Sequence, residues 1–469
     1  MSASTFEFND PQGCIFGMKA CKCQRHKAKP VRPLTELILD CWLRECDKRP
    51  YQNLVLHGNV YRRRMYRHMT VRDLEVVVTF LQSKNHVKSL EIAYMDIPER
   101  LVLWQKLAKV ANKLEKISFI AANIPQKLLE FMSVFAESSR IRVMRLSGSE
   151  LTMTHAKHLR CFVLHSDNLQ YLDVGYCGLD ESTFAMVADG ISKSRSLKAV
   201  DMSRIVNRSP VSYVDENKLG TLMAMILWTC PLVEIHLKKC GLDTESIQPL
   251  LEYVARSETL LYLDLGSNKL EGRGVSEILT AIKGKNCMIG LDVSNNRLGE
   301  NGGEAIGHQL PETRLRYLDI SRNNIPAEQM NLILSTIKKV FQTRILNIIG
   351  NEYDTKLAAT LHRQTYANIF ILEALDAKVT YDLDRKQLRV VSCENMMSMY
   401  NERYFRHANT DLWPHCFFIQ NDVKDNLEWK KLDKTKKVLV NGMFVGPFII
   451  ARNGRVVGID DAVDDEMGL

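Results

Sequence analysis

Residues 260–270 read Leu260-Leu261-Tyr262-Leu263-Asp264-Leu265-Gly266-Ser267-Asn268-Lys269-Leu270. In this eleven-residue phrase, apolar residues occupy positions 1, 4, 6 and 11, and Asn stands at position 9. The phrase occurs ten times, with successive copies 27, 27, 28, 28, 35, 28, 28, 27 and 28 residues apart. A nearly fixed period of this length indicates a solenoid of stacked repeats. The copies begin at Val87, Leu114, Ile141, Leu169, Leu197, Leu232, Leu260, Met288, Leu315 and Thr343.

Each copy predicts one strand followed by one helix. Leu263 and Leu265 are two residues apart, so they point to one face of a short strand, whereas Tyr262 and Asp264 point to the other face. Residues 275–282 then place apolar side chains at helical spacing. One such unit cannot bury its apolar face alone, so stability requires each strand to stack beside the next in a parallel ladder.

The phrases at Leu260, Met288 and Leu315 resemble the leucine-rich repeats of the ribonuclease-inhibitor-like class, an α/β family. The resemblance covers about residues 51–370, because residues 51–61 read as an eleventh copy. It implies a curved solenoid with parallel strands on its concave face and helices on its convex face. It also implies that the Asn side chains at position 9 hydrogen-bond the turn backbone of neighbouring repeats. These residues are Asn268, Asn296 and Asn323.

Changes of composition predict five segments along the chain. The solenoid is followed by a small β-rich module with one helix, because Asn-Gly turns separate short apolar runs there. The irregular spacing of 35 indicates an insertion at 206–217, which is either a binding edge or a tolerated surface loop. The segments are a disordered basic tail at 1–33, a capping helix at 34–50, the solenoid at 51–370, the α+β module at 371–459 and an acidic tail at 460–469.

Composition points to an intracellular protein. The 12 Cys residues are scattered rather than placed at the spacings of a disulfide framework, which indicates reduced thiols in the cytoplasm or nucleus. No basic-then-apolar leader opens the chain. The longest apolar stretch, residues 442–451, is too short to cross a bilayer. Secretion and membrane insertion are therefore not expected.

The amino-terminal end carries the net charge. Residues 1–72 contain 14 Lys or Arg and 6 Asp or Glu, which accounts for the whole formal charge of +8. Such a segment either contacts RNA, an acidic partner or anionic lipid, or is a solvated tail. The same tail contains Cys14, Cys21, Cys23 and His26, but their spacing is tighter than that of a zinc knuckle and no second pair follows. We therefore expect no metal site.

One helix has residues that could support catalysis. Between Thr154 and Asp167, three His residues and Cys161 recur at helical spacing, and a Cys beside a His can form a thiol nucleophile. His158 and His165 are seven residues apart, about 10 Å along a helix axis, which is too far for one metal ion. No phosphate-binding loop or hydrolase motif occurs. We expect structural roles here, no cofactor and no enzymatic activity.

The strand face opposite the core is the predicted binding surface. Acidic residues recur at position 5 and Tyr at position 3, a combination that suits a basic protein partner. Asp is also common at position 5 in the family, so the row reflects either recognition or the repeat itself. The predicted partner-binding residues are Tyr171, Asp173, Asp201, His236, Lys238, Tyr262, Asp264, Asp292, Tyr317 and Asp319.

These observations predict an intracellular protein-binding scaffold or adaptor that is not an enzyme. Two alternatives stay open. The repeat class also includes GTPase-activating proteins of the Ran-activator type, although the ten-residue acidic tail is shorter than the tail of that activator. An RNA-associated protein would instead use the basic amino-terminal end. The repeat pattern predicts a surface and does not identify the partner.

Overall fold

The computed structural model describes two compact units, one ending at Val214 and one beginning at Asp215. The described residues of the first unit are 53–57, 69–84 and 86–205. Those of the second unit are 215–284, 287–337, 345–367, 369–370 and 375–393, together with four short strands between 438 and 457.

In the first unit, strands and helices alternate along the chain. Its strands pair in parallel in chain order, each with the one before it and the one after it. The strands are β1 (Asn53–His57), β2 (Ser89–Ala93), β3 (Lys116–Ile120), β4 (Val143–Arg145), β5 (Tyr171–Asp173) and β6 (Ala199–Asp201). The helices are α1 (Val71–Ser83), α2 (Leu101–Ala111), α3 (Gln126–Val134), α4 (Met153–His165) and α5 (Glu181–Ser192).

The second unit repeats the alternation with a parallel ladder of its own. Its ladder strands are β7 (Glu234–His236), β8 (Tyr262–Asp264), β9 (Gly290–Asp292), β10 (Tyr317–Asp319) and β11 (Ile345–Asn347). The helices are α6 (Glu216–Thr229), α7 (Gln248–Arg256), α8 (Glu271–Ala281), α9 (Gly299–Gln309), α10 (Ala327–Thr336) and α11 (Thr355–Tyr366), and a short 3-10 helix (Leu310–Glu312) follows α9.

The register of the second ladder is the one that the phrase predicts. Leu263 pairs with Leu291, so position 4 of each repeat forms one continuous apolar row. Position 6 forms a second row on the same side, and both rows are fully buried. The rows are Ile235, Leu263, Leu291, Leu318 and Leu346, and Leu237, Leu265, Val293, Ile320 and Ile348. These side chains form the core against the helices.

Asparagine at position 9 links neighbouring repeats as predicted. Asn296 Nδ2 donates to the carbonyls of Leu265 (2.9 Å) and Ser294 (3.0 Å), and its Oδ1 accepts from the N–H groups of Asn268 (3.1 Å) and Leu270 (3.3 Å). Each amide therefore satisfies backbone groups that the sharp turn after the strand leaves unpaired. Asn268, Asn323 and Asn351 make the same kind of bridge.

In the first unit, smaller side chains replace some of these asparagines. Ser149 Oγ donates to the carbonyl of Phe119 (3.0 Å) and accepts from the N–H of Ala122 (3.2 Å). Cys177 Sγ donates to the carbonyl of Leu146 (3.3 Å). A hydroxyl or thiol satisfies fewer backbone groups than an amide can, which is consistent with the drift of the phrase in the early copies.

The second unit ends in small antiparallel sheets. Leu375 forms a parallel bridge with Leu346, so the ladder continues one step beyond β11. The chain then forms an antiparallel hairpin of β12 (Ala377–Asp382) and β13 (Gln387–Ser392). A four-stranded antiparallel sheet follows in chain order: β14 (Val438–Val440), β15 (Met443–Val445), β16 (Phe448–Ile450) and β17 (Val456–Val457).

No helix within the described ranges is both long enough and apolar enough to span a membrane.

Candidate functional site

The predicted partner-binding residues lie on the strand face opposite the apolar core. Tyr171, Asp173 and Asp201 are in the first unit. The remaining seven are in the second unit, on or directly after β7 to β10. We call the second group, together with Glu234, the acidic face; it comprises Glu234, His236, Lys238, Tyr262, Asp264, Asp292, Tyr317 and Asp319.

One oxygen of each position-5 aspartate has a structural role. In five repeats the Asp Oδ1 accepts the backbone N–H two residues further on, at 2.8 to 3.0 Å. This bond closes the turn that follows the strand, as Asp side chains commonly do in turns. The pairs are Asp173 with Gly175, Asp201 with Ser203, Asp264 with Gly266, Asp292 with Ser294 and Asp319 with Ser321. Repeat structure therefore explains Oδ1, and only Oδ2 is left for recognition.

His236 lies between two carboxylates of the acidic face. Its Nε2 is hydrogen-bonded to Glu234 Oε1, and its Nδ1 lies 3.4 Å from Asp264 Oδ2. All three side chains are buried. Both ring nitrogens of His236 therefore face carboxyl oxygens of the acidic face.

Asp292 is the least satisfied acid of the face. Its side chain is 0% exposed, and its Oδ2 accepts no hydrogen bond from any residue in the described part of the chain. Lys238 Nζ lies 3.9 Å from this oxygen, beyond hydrogen-bond distance. Burial, reinforced by Asp319 and Asp264, raises the pKa of Asp292 well above its ordinary value. An ionised carboxylate at this position therefore has too little positive charge near it to balance its own charge.

Two tyrosine rings meet above a glycine on this face. The rings of Tyr262 and Tyr317 have centroids 5.8 Å apart, and the Tyr262 ring also contacts the His236 imidazole at 5.4 Å. Gly290 lies between the two tyrosines in the ladder, and a Cβ at Gly290 would come 2.3 Å from Tyr262 Cδ2. The absence of a side chain there allows the rings to pack beside Asp292.

Asp319 is fully hydrogen-bonded, unlike Asp292. Its Oδ2 accepts from Asn347 Nδ2 (2.7 Å) and from the Tyr317 hydroxyl (3.4 Å). Its Oδ1 accepts from both the backbone and the side chain of Ser321. Position 5 of β11 is Asn347, whereas the same position in β8, β9 and β10 is Asp. Asn347 supplies a hydrogen-bond donor to Asp319, and an acid at this position would repel it.

The first unit has an ion pair in the equivalent row. Arg145 Nε lies 3.2 Å from Asp173 Oδ2, and both side chains are buried. Lys116, on the neighbouring strand, has its pKa lowered to about 8, mainly by burial and secondly by the charge of Arg145. Asp173 is thus already paired with a cation within its own unit.

The acidic face differs from its sequence-based description in burial. The sequence predicts an open row of acids, but apart from Lys238 all its members are buried. Adjacent strands are about 5 Å apart, so position-5 and position-3 side chains of successive repeats contact one another. The sequence-based site omits Glu234, Asn347 and Asp376. The first two could be found at positions 3 and 5 of the aligned copies, whereas Asp376 belongs to a further copy beyond the ten counted.

Comparison with known proteins identifies the repeat. A family model described as "Leucine Rich repeat" matches residues 256–279, which include the phrase of β8. The chain is a leucine-rich repeat protein of the ribonuclease-inhibitor-like class. The ribonuclease inhibitor of Sus scrofa is 25% identical over 290 residues, covering 55% of this chain and 57% of that protein. The solenoid of parallel strands and helices is therefore the fold of this class.

Other known proteins are similar to part of the chain. The NACHT, LRR and PYD domains-containing protein 4C of Mus musculus is 24% identical over 282 residues, covering 54% of this leucine-rich repeat protein and 28% of the mouse protein. The crystal structure of an internalin from Listeria monocytogenes overlaps with a TM-score of 0.38 at 13% identity, covering 70% of this chain and 92% of the internalin.

The His-rich helix of this leucine-rich repeat protein has the structural contacts expected for it. His155 Nδ1 accepts the N–H of Thr152 (3.0 Å) at the start of α4, and its Nε2 donates to the carbonyl of Ile124 (2.8 Å). Cys161 Sγ lies 3.6 Å from His165 Nδ1, which also bonds the Cys161 carbonyl at 2.8 Å. Within the described ranges, no group of three or more His, Cys, Asp or Glu is arranged to hold a metal ion.

Several predicted features lie outside the described residues. They are the basic tail with its cysteines (1–33), the capping helix (34–50), most of the insertion at 206–217 and the acidic tail (460–469).

Asp376 predicts a pH dependence of stability. It accepts the N–H groups of Ile348 (2.7 Å) and Ile349 (3.0 Å), yet burial raises its pKa from 3.8 to about 6. The folded chain therefore binds more protons than the unfolded chain between about pH 4 and 6, and the free energy of unfolding falls as pH rises through this window. A shift of about two pKa units corresponds to about 3 kcal/mol.

The measurement compares the wild type with Asp376→Asn by thermal unfolding between pH 4 and 7. Relative to the variant, the wild type is expected to lose stability as pH rises from about 4 to 6 and to level off towards pH 7. If the difference in stability between the two proteins stayed constant from pH 4 to 7, the raised pKa of Asp376 would be contradicted.

Proposed function

We propose that this chain is an intracellular, non-enzymatic scaffold that holds a basic segment of a protein partner on the acidic face. The observation that carries the proposal is the charge of this face. The acidic face contains four acidic side chains, those of Glu234, Asp264, Asp292 and Asp319, together with one Lys, Lys238, and one His, His236. An unbalanced acidic surface favours association with positively charged partners.

Two further observations support the proposal. The pig relative is by name a ribonuclease inhibitor, so a protein of this repeat class binds another protein. Cys161, Cys177 and Cys287 are free thiols, which suits a reducing compartment such as the cytoplasm or nucleus.

Asparagine substitutions test the proposal without removing the turns. Replacing Asp264, Asp292 and Asp319 together by Asn removes three charges but keeps the Oδ1 acceptor that each turn uses. A matched control replaces Asp189, Glu277 and Glu304 by Asn, Gln and Gln, because these acids lie on helices away from the acidic face. Both variants should be checked for wild-type far-UV circular dichroism.

The readout is the set of proteins captured from cells by wild type and both variants at low and high salt. We expect the acidic-face variant to lose a partner that the wild type and the control retain. Capture should also weaken as salt rises, because surface charges are screened over about 8 Å at physiological ionic strength. Identical partners for the folded acidic-face variant and the wild type would refute the proposal.

A further inference from the structure

We propose that Asp292 is the receptor for an arginine side chain of the partner. The inference rests on the proposed function and assigns one atom of the acidic face, Asp292 Oδ2, to one chemical group, a guanidinium. The described residues leave this oxygen without a hydrogen-bond donor, although the side chain is fully buried. A buried carboxylate oxygen without a donor is costly, and a cation brought by a partner would remove that cost.

The neighbouring acids do not have the same need. Asp264 Oδ2 lies near the His236 imidazole, and Asp319 Oδ2 accepts from an amide and a phenol. In the first unit, Asp173 Oδ2 is paired with Arg145 at 3.2 Å. That pair shows what position 5 accommodates when the donor comes from this chain: a guanidinium against Oδ2, with Oδ1 still closing the turn. Asp292 has the same Oδ1 bond and no such donor among the described residues.

Lys238 does not fill the position. Its ammonium is 3.9 Å from Asp292 Oδ2 and its side chain is 24% exposed, so it remains at the edge of the face. Lys238 therefore does not supply a hydrogen-bond donor to Asp292 Oδ2.

The aromatic rings favour arginine over lysine. The rings of Tyr262 and Tyr317 pack over Gly290, two residues before Asp292 on the same strand. A guanidinium is planar, stacks on aromatic faces and donates in a fork that matches a carboxylate. An ammonium is more strongly hydrated and lacks the planar shape, so it gains less from the rings.

The test uses the full-length protein and synthetic probes. Four proteins are compared: wild type, Asp292→Asn, the Asp264/Asp292/Asp319 triple Asn variant, and Asp189→Asn as a control on a helix outside the acidic face. The probes are fluorescent Gly-Ser peptides that carry a pair of arginines, lysines or citrullines. Citrulline has the shape of arginine without its charge, so the wild type alone already tests whether the charge is recognised.

We expect the wild type and Asp189→Asn to bind the arginine peptide at least about tenfold more tightly than the citrulline peptide, and more tightly than the lysine peptide. Asp292→Asn should lose about tenfold or more in affinity for the arginine peptide, because one close charge pair is removed. Equal affinity for arginine and citrulline, or for arginine and lysine, would overturn the assignment, as would wild-type affinity in a folded Asp292→Asn protein.

The two proposals can fail separately. If Asp292→Asn binds the arginine peptide normally while the triple variant loses its cellular partner, the arginine assignment is wrong and the acidic face remains the binding surface. If the triple variant keeps every partner, both proposals are wrong.

Discussion

Asn296→Ala is expected to destabilise the second unit by about 4 kcal/mol. The Asn296 amide bonds two carbonyls and two N–H groups across neighbouring turns, and its side chain is fully buried. Alanine leaves the N–H groups of Asn268 and Leu270 unpaired, whereas the Leu265 and Ser294 carbonyls keep bonds from Asn268 Nδ2 and the Ser267 N–H. Each buried group left unpaired costs about 1 to 3 kcal/mol before the turn relaxes. Urea unfolding followed by circular dichroism measures the loss.

Asn301→Ala is the matched control for this prediction. Asn301 is exposed on α9 of the same repeat, so the same chemical change removes no buried bond there. Its cost should be within about 0.5 kcal/mol of zero. A comparable loss in both variants would show that the position-9 amide does not stabilise the ladder.

Leu263→Ala is the second large effect, with an expected loss of about 2 to 5 kcal/mol. Leu263 is fully buried in the position-4 row, where it pairs in register with Ile235 and Leu291. Truncation removes apolar contacts and leaves a cavity between repeats that are fixed by their neighbours, so the site cannot fully collapse. Thermal or urea unfolding of the variant measures the effect.

Asp264→Asn is the comparison on the opposite face of the same strand. Asn keeps the acceptor for the Gly266 N–H at 2.8 Å and replaces Oδ2, which faces His236, by an uncharged NH2 group. We expect a smaller loss than for Leu263→Ala. If the two variants lost equal stability, the register of positions 4 and 5 would be wrong.

Asp264 also shows where reasoning from sequence stops. The alternation of Leu263, Asp264 and Leu265 correctly places Asp264 on the face away from the core, because side chains on a strand point alternately to its two faces. Alternation says nothing about what covers that face. Sequence alone therefore predicts an exposed acid that could be replaced at little cost, whereas the structure has a buried acid with two partners.

The two explanations for the acidic row, repeat structure and recognition, apply to different atoms. The Oδ1 atoms close turns in five repeats and would be needed with or without a partner. The Oδ2 atoms differ from repeat to repeat, with partners that range from Arg145 for Asp173 to no hydrogen-bond donor for Asp292 among the described residues. A sequence contains one letter for each aspartate and cannot separate its two oxygens.

The sequence by itself determined the class of fold, the repeat period, the core rows and the position-9 asparagine bridges. These depend on contacts between residues a fixed number of positions apart, and such contacts repeat in the sequence with the same period. Only the tertiary structure decided that His236 lies between two carboxyl groups, that two tyrosines lie near Asp292, and that Asp292 Oδ2 has no hydrogen-bond donor among the described residues. Those properties depend on which side chains face each other across strands about 28 residues apart, and on burial, which changes the cost of a charge.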